Sequence, residues 1–408
     1  MKRILLAASV LFGINANAQI EDTVSLMPGY MDQVWYSLEN DEQAREPKNN
    51  WDIAFDVSQF GASILVNQIN GVSLYAHPSD TSDFTTTTDT TGMSTWIPLN
   101  NSDTTWSLGA FNENSMALDM GWGTYNTLTH QVVGNKFFII ELANGDLQKI
   151  WIESLASGVY TFRHATLDNS MDMTHTLTKS DFADKNFGYF NLSTHSELDR
   201  EPNNQDWDLQ FTQYHTLIPT GPGSFLPYTV SGVLSNAGVE VAEANGVDQA
   251  TYIDYMAETF DSKIDVIGYD WKSYQGSWML VSDRIFFVKT ASGDIWKLVF
   301  TDFGGMGNGN YVFSKELLAA NNIKDNEVAT LEILPNPASE NTTLILDGKG
   351  NDVNITVTDF NGKTVLTQNL NNIGFVEHHI SIEDLSIGMY FVTVITNGKS
   401  NTKKLIKK

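Results

Sequence analysis

The sequence predicts an all-β chain, with two long β units in tandem followed by a small Ig-like β-sandwich. Three observations carry this. Short alternating runs of Val, Ile, Phe, Tyr and Trp are separated by Gly, Asn, Asp and Ser turns, the pattern of strands with one buried face. One stretch is written twice. Beyond residue 330 the texture changes to short strands at close spacing.

The repeated stretch is Arg45-Glu46-Pro47-Lys48-Asn49-Asn50-Trp51-Asp52-Ile53-Ala54-Phe55. It recurs as Arg200-Glu201-Pro202-Asn203-Asn204-Gln205-Asp206-Trp207-Asp208-Leu209-Gln210-Phe211. Alternation predicts that Trp51, Ile53 and Phe55 face one way and Asp52 and Ala54 the other. Val34–Leu38 precedes the first copy and Phe187–Leu192 the second, so each unit is expected to open with a hairpin whose return strand holds the Trp-Asp pair. A second pair follows. Lys136–Ile140, Asn144-Gly145-Asp146 and Leu147–Ile152 match Arg284–Val288, Ser292-Gly293-Asp294 and Ile295–Phe300. Both read as hairpins, since Gly tolerates the positive φ of tight turns.

In the first unit, Ser63–Val66 and Val72–Tyr75 around Asn70-Gly71 form another expected hairpin. Residues 79–104, rich in Ser, Thr and Asp, read as an exposed excursion. In the second, Pro219–Gly223 reads as a loop tip, and residues 235–265 as a stretch that includes a short helix. Residues 320–330 read as a linker. The expected division is thus 1–18, 19–178, 179–319, 320–330 and 331–408.

Residues 1–18 read as a secretory leader. Lys2-Arg3 gives the positive start, Ile4–Ile14 the apolar run and Ala16-Asn17-Ala18 the small-residue cleavage site. No later stretch is long and apolar enough to span a membrane. The chain has no cysteine, so an exported protein of this size takes its stability from core burial and not from disulfides. The net charge of −25 argues against nucleic acid and anionic lipid as partners. Nearly all of that excess lies before residue 331.

Residues 334–408 resemble the C-terminal sorting domain of the type IX secretion system of Bacteroidetes. The resemblance rests on Leu334-Pro335-Asn336-Pro337-Ala338, on Asp359, Asn361, Gly362 and Lys363 of a turn, on Leu385, Gly388-Met389-Tyr390-Phe391-Val392, and on the basic tail Lys403-Lys404-Leu405-Ile406-Lys407-Lys408. It implies export across both membranes to the cell surface or the medium, with the type IX machinery as partner and no catalysis in that domain.

The repeated unit resembles the haem-scavenging HmuY-like family of the same bacteria. Trp51–Phe55 with Gly145–Ile150, and Trp207–Phe211 with Gly293–Leu298, carry that resemblance as two tandem copies. It implies an all-β, non-enzymatic binding protein, with haem or a related porphyrin as ligand. The family's founding members hold haem between two histidines, and neither maps by motif onto this chain.

Among the histidines, His164 and His175 flank the turn Asp168-Asn169-Ser170, with Met171 and Met173 nearby. If residues 161–167 and 172–178 pair as a hairpin, both imidazoles share a face, and they are the candidate haem ligands. Two surface histidines on a polar excursion explain the same residues. His195 and His215 lie on either side of the second Arg-Glu-Pro turn, and His378-His379 point to opposite faces of a strand. Asp52 and Asp208 read as structural acceptors at a turn, or as partners of Arg45 and Arg200, because both copies repeat them. A glycosidase reading would need them paired across a cleft. Asp80, Asp83 and Asp89 lack the spacing of a tight Ca²⁺ loop. No metal centre and no catalytic motif is expected. The aromatics Trp106, Trp122, Trp271, Tyr274 and Trp278 serve either core packing or a ligand cleft. The alternative to porphyrin capture is a structural or adhesive surface protein that binds a glycan or protein partner.

Overall fold

The computed structural model describes residues 20–113, 115–320, 330–360, 362–396 and 399–408. The expected leader and most of the expected linker lie outside them. The described residues are built from strands, turns and short 3₁₀ segments, in two compact units on either side of residue 321.

In the N-terminal unit, four main sheets enclose two large cores. A seven-stranded outer sheet includes Leu147–Ala156, Val159–Thr166 and Asp172–Thr178. It covers a four-stranded inner sheet ordered Ser196–Leu198, Phe187–Asn191, Ile53–Asp56, Ile64–Val66. Between them lies a core of Ile53, Phe55, Trp122, Ile150, Phe162, Phe190 and their neighbours. The second inner sheet is ordered Ser224–Ser235, Leu209–Gly221, Asp32–Ser37, Asp41–Pro47. With a five-stranded outer sheet it encloses Val34, Tyr36, Phe211, Trp271, Phe286, Phe300 and Phe313.

The strands before the two Trp-Asp motifs are exchanged. Asp32–Ser37 pairs with Leu209–Gly221, the strand of the second motif, and Phe187–Asn191 pairs with Ile53–Asp56, the strand of the first. This corrects the expected opening hairpins. The return strand of Asp32–Ser37 is Asp41–Pro47, which ends before Trp51. The cores follow the exchange across residue 178: Phe182, Phe190 and Leu192 belong to the first core, and Val24 to Leu38 supply the second.

Both aspartates fasten this exchange. The Asp52 carboxylate accepts from the Leu192 N–H, and that of Asp208 from the Leu38 N–H, each at 2.8 Å. The backbone repeats the relation, with Asp52 N–H donating to Phe190 O and Asp208 N–H to Tyr36 O. Asn67 Nδ2 donates to Lys48 O and Trp51 O, and Asn236 Nδ2 to Asn204 O and Trp207 O. Neither arginine reaches these carboxylates. Arg45 bonds Glu42 and the Ser25 carbonyl, whereas Arg200 bonds Gln33 Oε1 and Pro47 O.

The inner sheets are covered on both faces, so simple alternation fails. Ile53 and Phe55 enter the first core, while Trp51 packs with Ala54, Leu65, Phe187 and Tyr189 on the opposite side. The Arg200 guanidinium lies there, 5.6 Å from the Trp35 ring, 5.7 Å from Trp51 and 5.0 Å from Tyr189. Beside it Glu201 is buried. Its carboxylate accepts from the N–H groups of Asn186 and Phe187 and from the Tyr189 hydroxyl.

Both Gly-centred hairpins form, with φ of 86° at Gly145 and 91° at Gly293. Three local expectations are corrected. Ile64–Val66 and Ser73–Ala76 join different sheets, because a 3₁₀ turn at Gln68–Asn70 separates them. The strand Leu209–Gly221 runs through Pro219. Its far side has no ladder partner beyond Phe211, so a missing N–H there costs little. Residues 240–245 form a strand, and the short helix reduces to a 3₁₀ turn at Tyr255–Ala257. The 79–104 excursion is largely exposed, but Phe84 is buried and Lys149 Nζ donates to the carbonyls of Phe84 and Thr87.

The C-terminal unit is one five-stranded sheet with long central strands, Asn341–Asp359 and Thr364–Ser381. Their pairing breaks register between Asp347 and Val353. Thr330–Leu334 extends one stretch and Gly388–Thr396 the other, around Leu344, Ile355, Val392 and Leu405. The basic tail is the edge strand Lys399–Lys407.

Two predictions follow from the exchange. Asp52→Ala and Asp208→Ala each leave an N–H without its acceptor, and each is expected to cost about 1–3 kcal/mol in urea denaturation. Asp→Asn, which keeps an acceptor oxygen, is expected to cost less than half as much. Burial raises the Glu201 carboxyl from 4.5 to about 7. As pH rises through that interval the unfolded chain releases a proton that the folded chain retains, so stability falls, by roughly 3 kcal/mol. Chemical denaturation of wild type and Glu201→Gln near pH 5 and near pH 8 checks this: the wild type should lose that much more stability across the interval than the variant.

Candidate functional site

The strands Val159–Thr166 and Asp172–Thr178 do form a hairpin, with Phe162 opposite His175 and His164 opposite Met173. Directly opposed residues share a face and so do residues two apart, which puts both imidazoles on the core side. His164 is fully buried, and its Nδ1–H donates to Gln148 Oε1 at 2.7 Å. That bond leaves Nε2 as the lone pair, aimed at His175 Nε2 at 3.1 Å. His175 is half-buried against Phe162 and Phe190.

A third histidine joins them. His195 closes the turn between Phe187–Asn191 and Ser196–Leu198 with φ of 54°. Its ring lies 5.2 Å from His164 and 5.9 Å from His175 between centroids. One ligand nitrogen from each histidine falls within 4.8 Å of the others. Burial, then the neighbouring His175 and His195, push the His164 imidazole down to about 4. Burial and His195 lower His175 as well. Both rings are therefore neutral at pH 7.

The spacing bears directly on haem. Metal–imidazole bonds of about 2.0–2.1 Å place two trans nitrogens about 4 Å apart and two cis nitrogens about 3 Å apart. His164 and His175 stand at the cis distance, with rings inclined by 30°, and hydrogen-bond each other directly. No slot for a porphyrin plane separates them. His195 was not foreseen as a member, because its approach depends on the strand exchange. The other histidines are engaged elsewhere: His77 stacks on Phe137, His130 bonds Tyr125, and His378 and His379 bond Gln368 and Thr343. His215 is half-buried on the strand Leu209–Gly221.

The acidic candidates have structural roles. Asp80 accepts from the Ser82 N–H and Asp89 from the Thr91 N–H, each shaping a turn. Asp52 and Asp208 fasten separate sheets, each accepting a backbone N–H, as described above.

Of the singled-out aromatics, Trp122 and Trp271 are core. Trp106 bridges the seam between the inner sheets and donates to the Ser235 carbonyl at 2.9 Å. Tyr274 and Trp278 differ. They sit on the small hairpin Lys272–Tyr274 and Trp278–Leu280, 5.2 Å apart and open to solvent. They border an open cleft of about 820 Å³, with Tyr228, Tyr269 and Met306 on its other walls. Lys272 is buried at its floor, donating to the carbonyls of Ser231 and Tyr269, and burial lowers its ammonium to about 7.

Among the described residues no helix is long and apolar enough to cross a membrane. Comparison with curated proteins finds no match. Residues 183–313 match the family model HmuY protein, and residues 332–408 match the Secretion system C-terminal sorting domain. The first range includes Tyr274, Trp278 and Met306 and leaves out His164 and His175. The chain thus joins a segment similar to the HmuY family to a type IX secretion sorting domain, which marks it for export to the cell surface or the medium.

Proposed function

We propose that the exported chain is a non-enzymatic capture protein that takes up haem or a related porphyrin in the cleft bordered by Tyr274 and Trp278. One observation carries this reading. All of the cleft's lining but Tyr30 lies in the HmuY-matched segment, and it presents flat, exposed aromatic faces in a volume within the roughly 300–1,000 Å³ of small-molecule sites. A porphyrin buries most of its surface against such faces, and the apolar contact supplies most of the affinity. Tyr228, Tyr269 and Met306 are of the residue types that ligate haem iron, and Tyr274 and Trp278 would hold the macrocycle.

We also read residues 20–320 as two diverged copies of one unit that have traded their opening strands. The matched carboxylate and carboxamide contacts of Asp52 with Asp208, and of Asn67 with Asn236, support that reading.

A haemin titration of the full exported chain, followed by its Soret band, tests the function. Saturable binding is expected, and Tyr274→Ala and Trp278→Ala should each raise Kd about tenfold or more, as for a buried aromatic anchor. His175→Gln should leave Kd unchanged. A Soret shift lost with His175→Gln and kept without Trp278 would move the ligand to the histidines. No shift at all would return the chain to glycan or protein partners.

A further inference from the structure

The three histidines have a geometry that porphyrin capture does not use. They come from three places: the strand Val159–Thr166, its hairpin partner Asp172–Thr178, and the turn after Phe187–Asn191. The first two belong to the outer sheet of the first core and the third to its inner sheet. Their nitrogens converge where that core meets solvent, with Phe162 and Phe190 behind them.

We propose that His164, His175 and His195 bind a divalent transition-metal ion of the zinc class, which clips the two sheets of the first core together at its open end. Donor identity selects the ion. Three imidazoles without thiolate or carboxylate suit Zn²⁺, Co²⁺, Ni²⁺ or Cu²⁺ and not the oxygen-seeking Ca²⁺ or Mg²⁺. Asp172, on the same hairpin, does not compete, since Arg163 holds it at 2.5 Å.

The distances fit. A tetrahedral ion with bonds of about 2.0–2.1 Å needs nitrogens about 3.3 Å apart. His164 and His175 already stand at 3.1 Å. The His195 side chain is exposed, so rotation of its ring closes the gap that remains within the 4.8 Å cluster. The Gln148 carboxamide oxygen fixes the His164 tautomer, in the place that a carboxylate, backbone carbonyl or water takes beside a metal-bound imidazole. Solvent on the His195 side leaves the fourth position to water or an exogenous ligand. The site lies apart from the aromatic cleft and shares no residue with it, so it stands or falls separately from haem capture.

The test uses the full exported chain freed of metal by chelation. Zn²⁺ binding is measured by calorimetry, and Co²⁺ binding by visible absorption, both in excess Mg²⁺ to occupy the acidic surface. Expected are one ion per chain, the absorption of tetrahedral Co²⁺, and a melting temperature that rises with free Zn²⁺. His195→Asn keeps a residue that tolerates the turn's positive φ, and it should weaken binding about a hundredfold, as should His175→Gln. Melting curves without metal establish that both variants fold. His77→Gln should leave binding unchanged. Absence of saturable Zn²⁺ binding, or binding that His195→Asn does not weaken, overturns the site.

Discussion

The N-terminal unit depends on one constraint: neither large core closes without a strand from the other motif's side of the chain. Asp32–Ser37 supplies Val34 and Tyr36 to the second core, and Phe187–Asn191 supplies Phe190 to the first. The Asp52 and Asp208 carboxylates hold the incoming segments by backbone N–H groups 140 and 170 residues away in sequence. Burial raises both carboxyls, Asp208 to about 6, so each resists ionisation even as it accepts its bond. An interaction that costs desolvation and is still made twice points to a geometric role. A buried carboxylate that accepts a single-register N–H disfavours every slipped pairing, since a slip strands both groups.

The exchange also explains the seam between the inner sheets. Covering both faces of an inner sheet removes the solvated side that most antiparallel sheets keep. The residues left in the seam carry the polar groups that solvent would otherwise serve: Gln33, Arg200, Gln210 and Thr212 are all buried there. Arg200 resolves much of this need. Its plane is weakly hydrated and meets three aromatic rings while its N–H groups reach Gln33 and Pro47. A lysine at that position would bring a point charge with a harder hydration shell and no planar face. The first motif's Arg45 meets no such demand, and it pairs with Glu42 and Asp32 near the surface.

Much of this was legible in the sequence, for local reasons. The Gly145 and Gly293 hairpins, the strand content and the sorting domain depend on turn chemistry and alternation, which are read within a few residues. The hairpin that unites His164 and His175 follows from Asp168-Asn169-Ser170 in the same way. What alternation could not supply was strand partnership. Trp51 was expected to share a face with Ile53 because a half-exposed strand was assumed, and a sheet covered on both sides has no such rule. Pro219 was expected to end a strand, yet it sits where the ladder has no second neighbour. His195 was out of reach for the same cause. Nothing near Thr194-His195-Ser196 in sequence refers to residues 164 and 175, and only the pairing of Phe187–Asn191 with Ile53–Asp56 brings that turn over the first core.

The two candidate ligand sites therefore rest on different parts of the fold. The aromatic cleft is assembled within the matched segment, apart from what Tyr30 contributes: Tyr228 comes from the strand Ser224–Ser235, Tyr269 from just before the hairpin Lys272–Leu280, Tyr274 and Trp278 from that hairpin, and Met306 from the turn at Gly305–Gly307. The histidine cluster needs the exchange itself, because two of its rings arrive before residue 178 and the third after it. A chain without cysteine that leaves the cell has no disulfide to hold distant segments together. An ion held across the two sheets would supply such a link, non-covalently and reversibly, at the point where the exchanged strand ends. That places the cluster just past the end of Phe187–Asn191, where a staple would oppose both fraying and slippage of the exchanged strand.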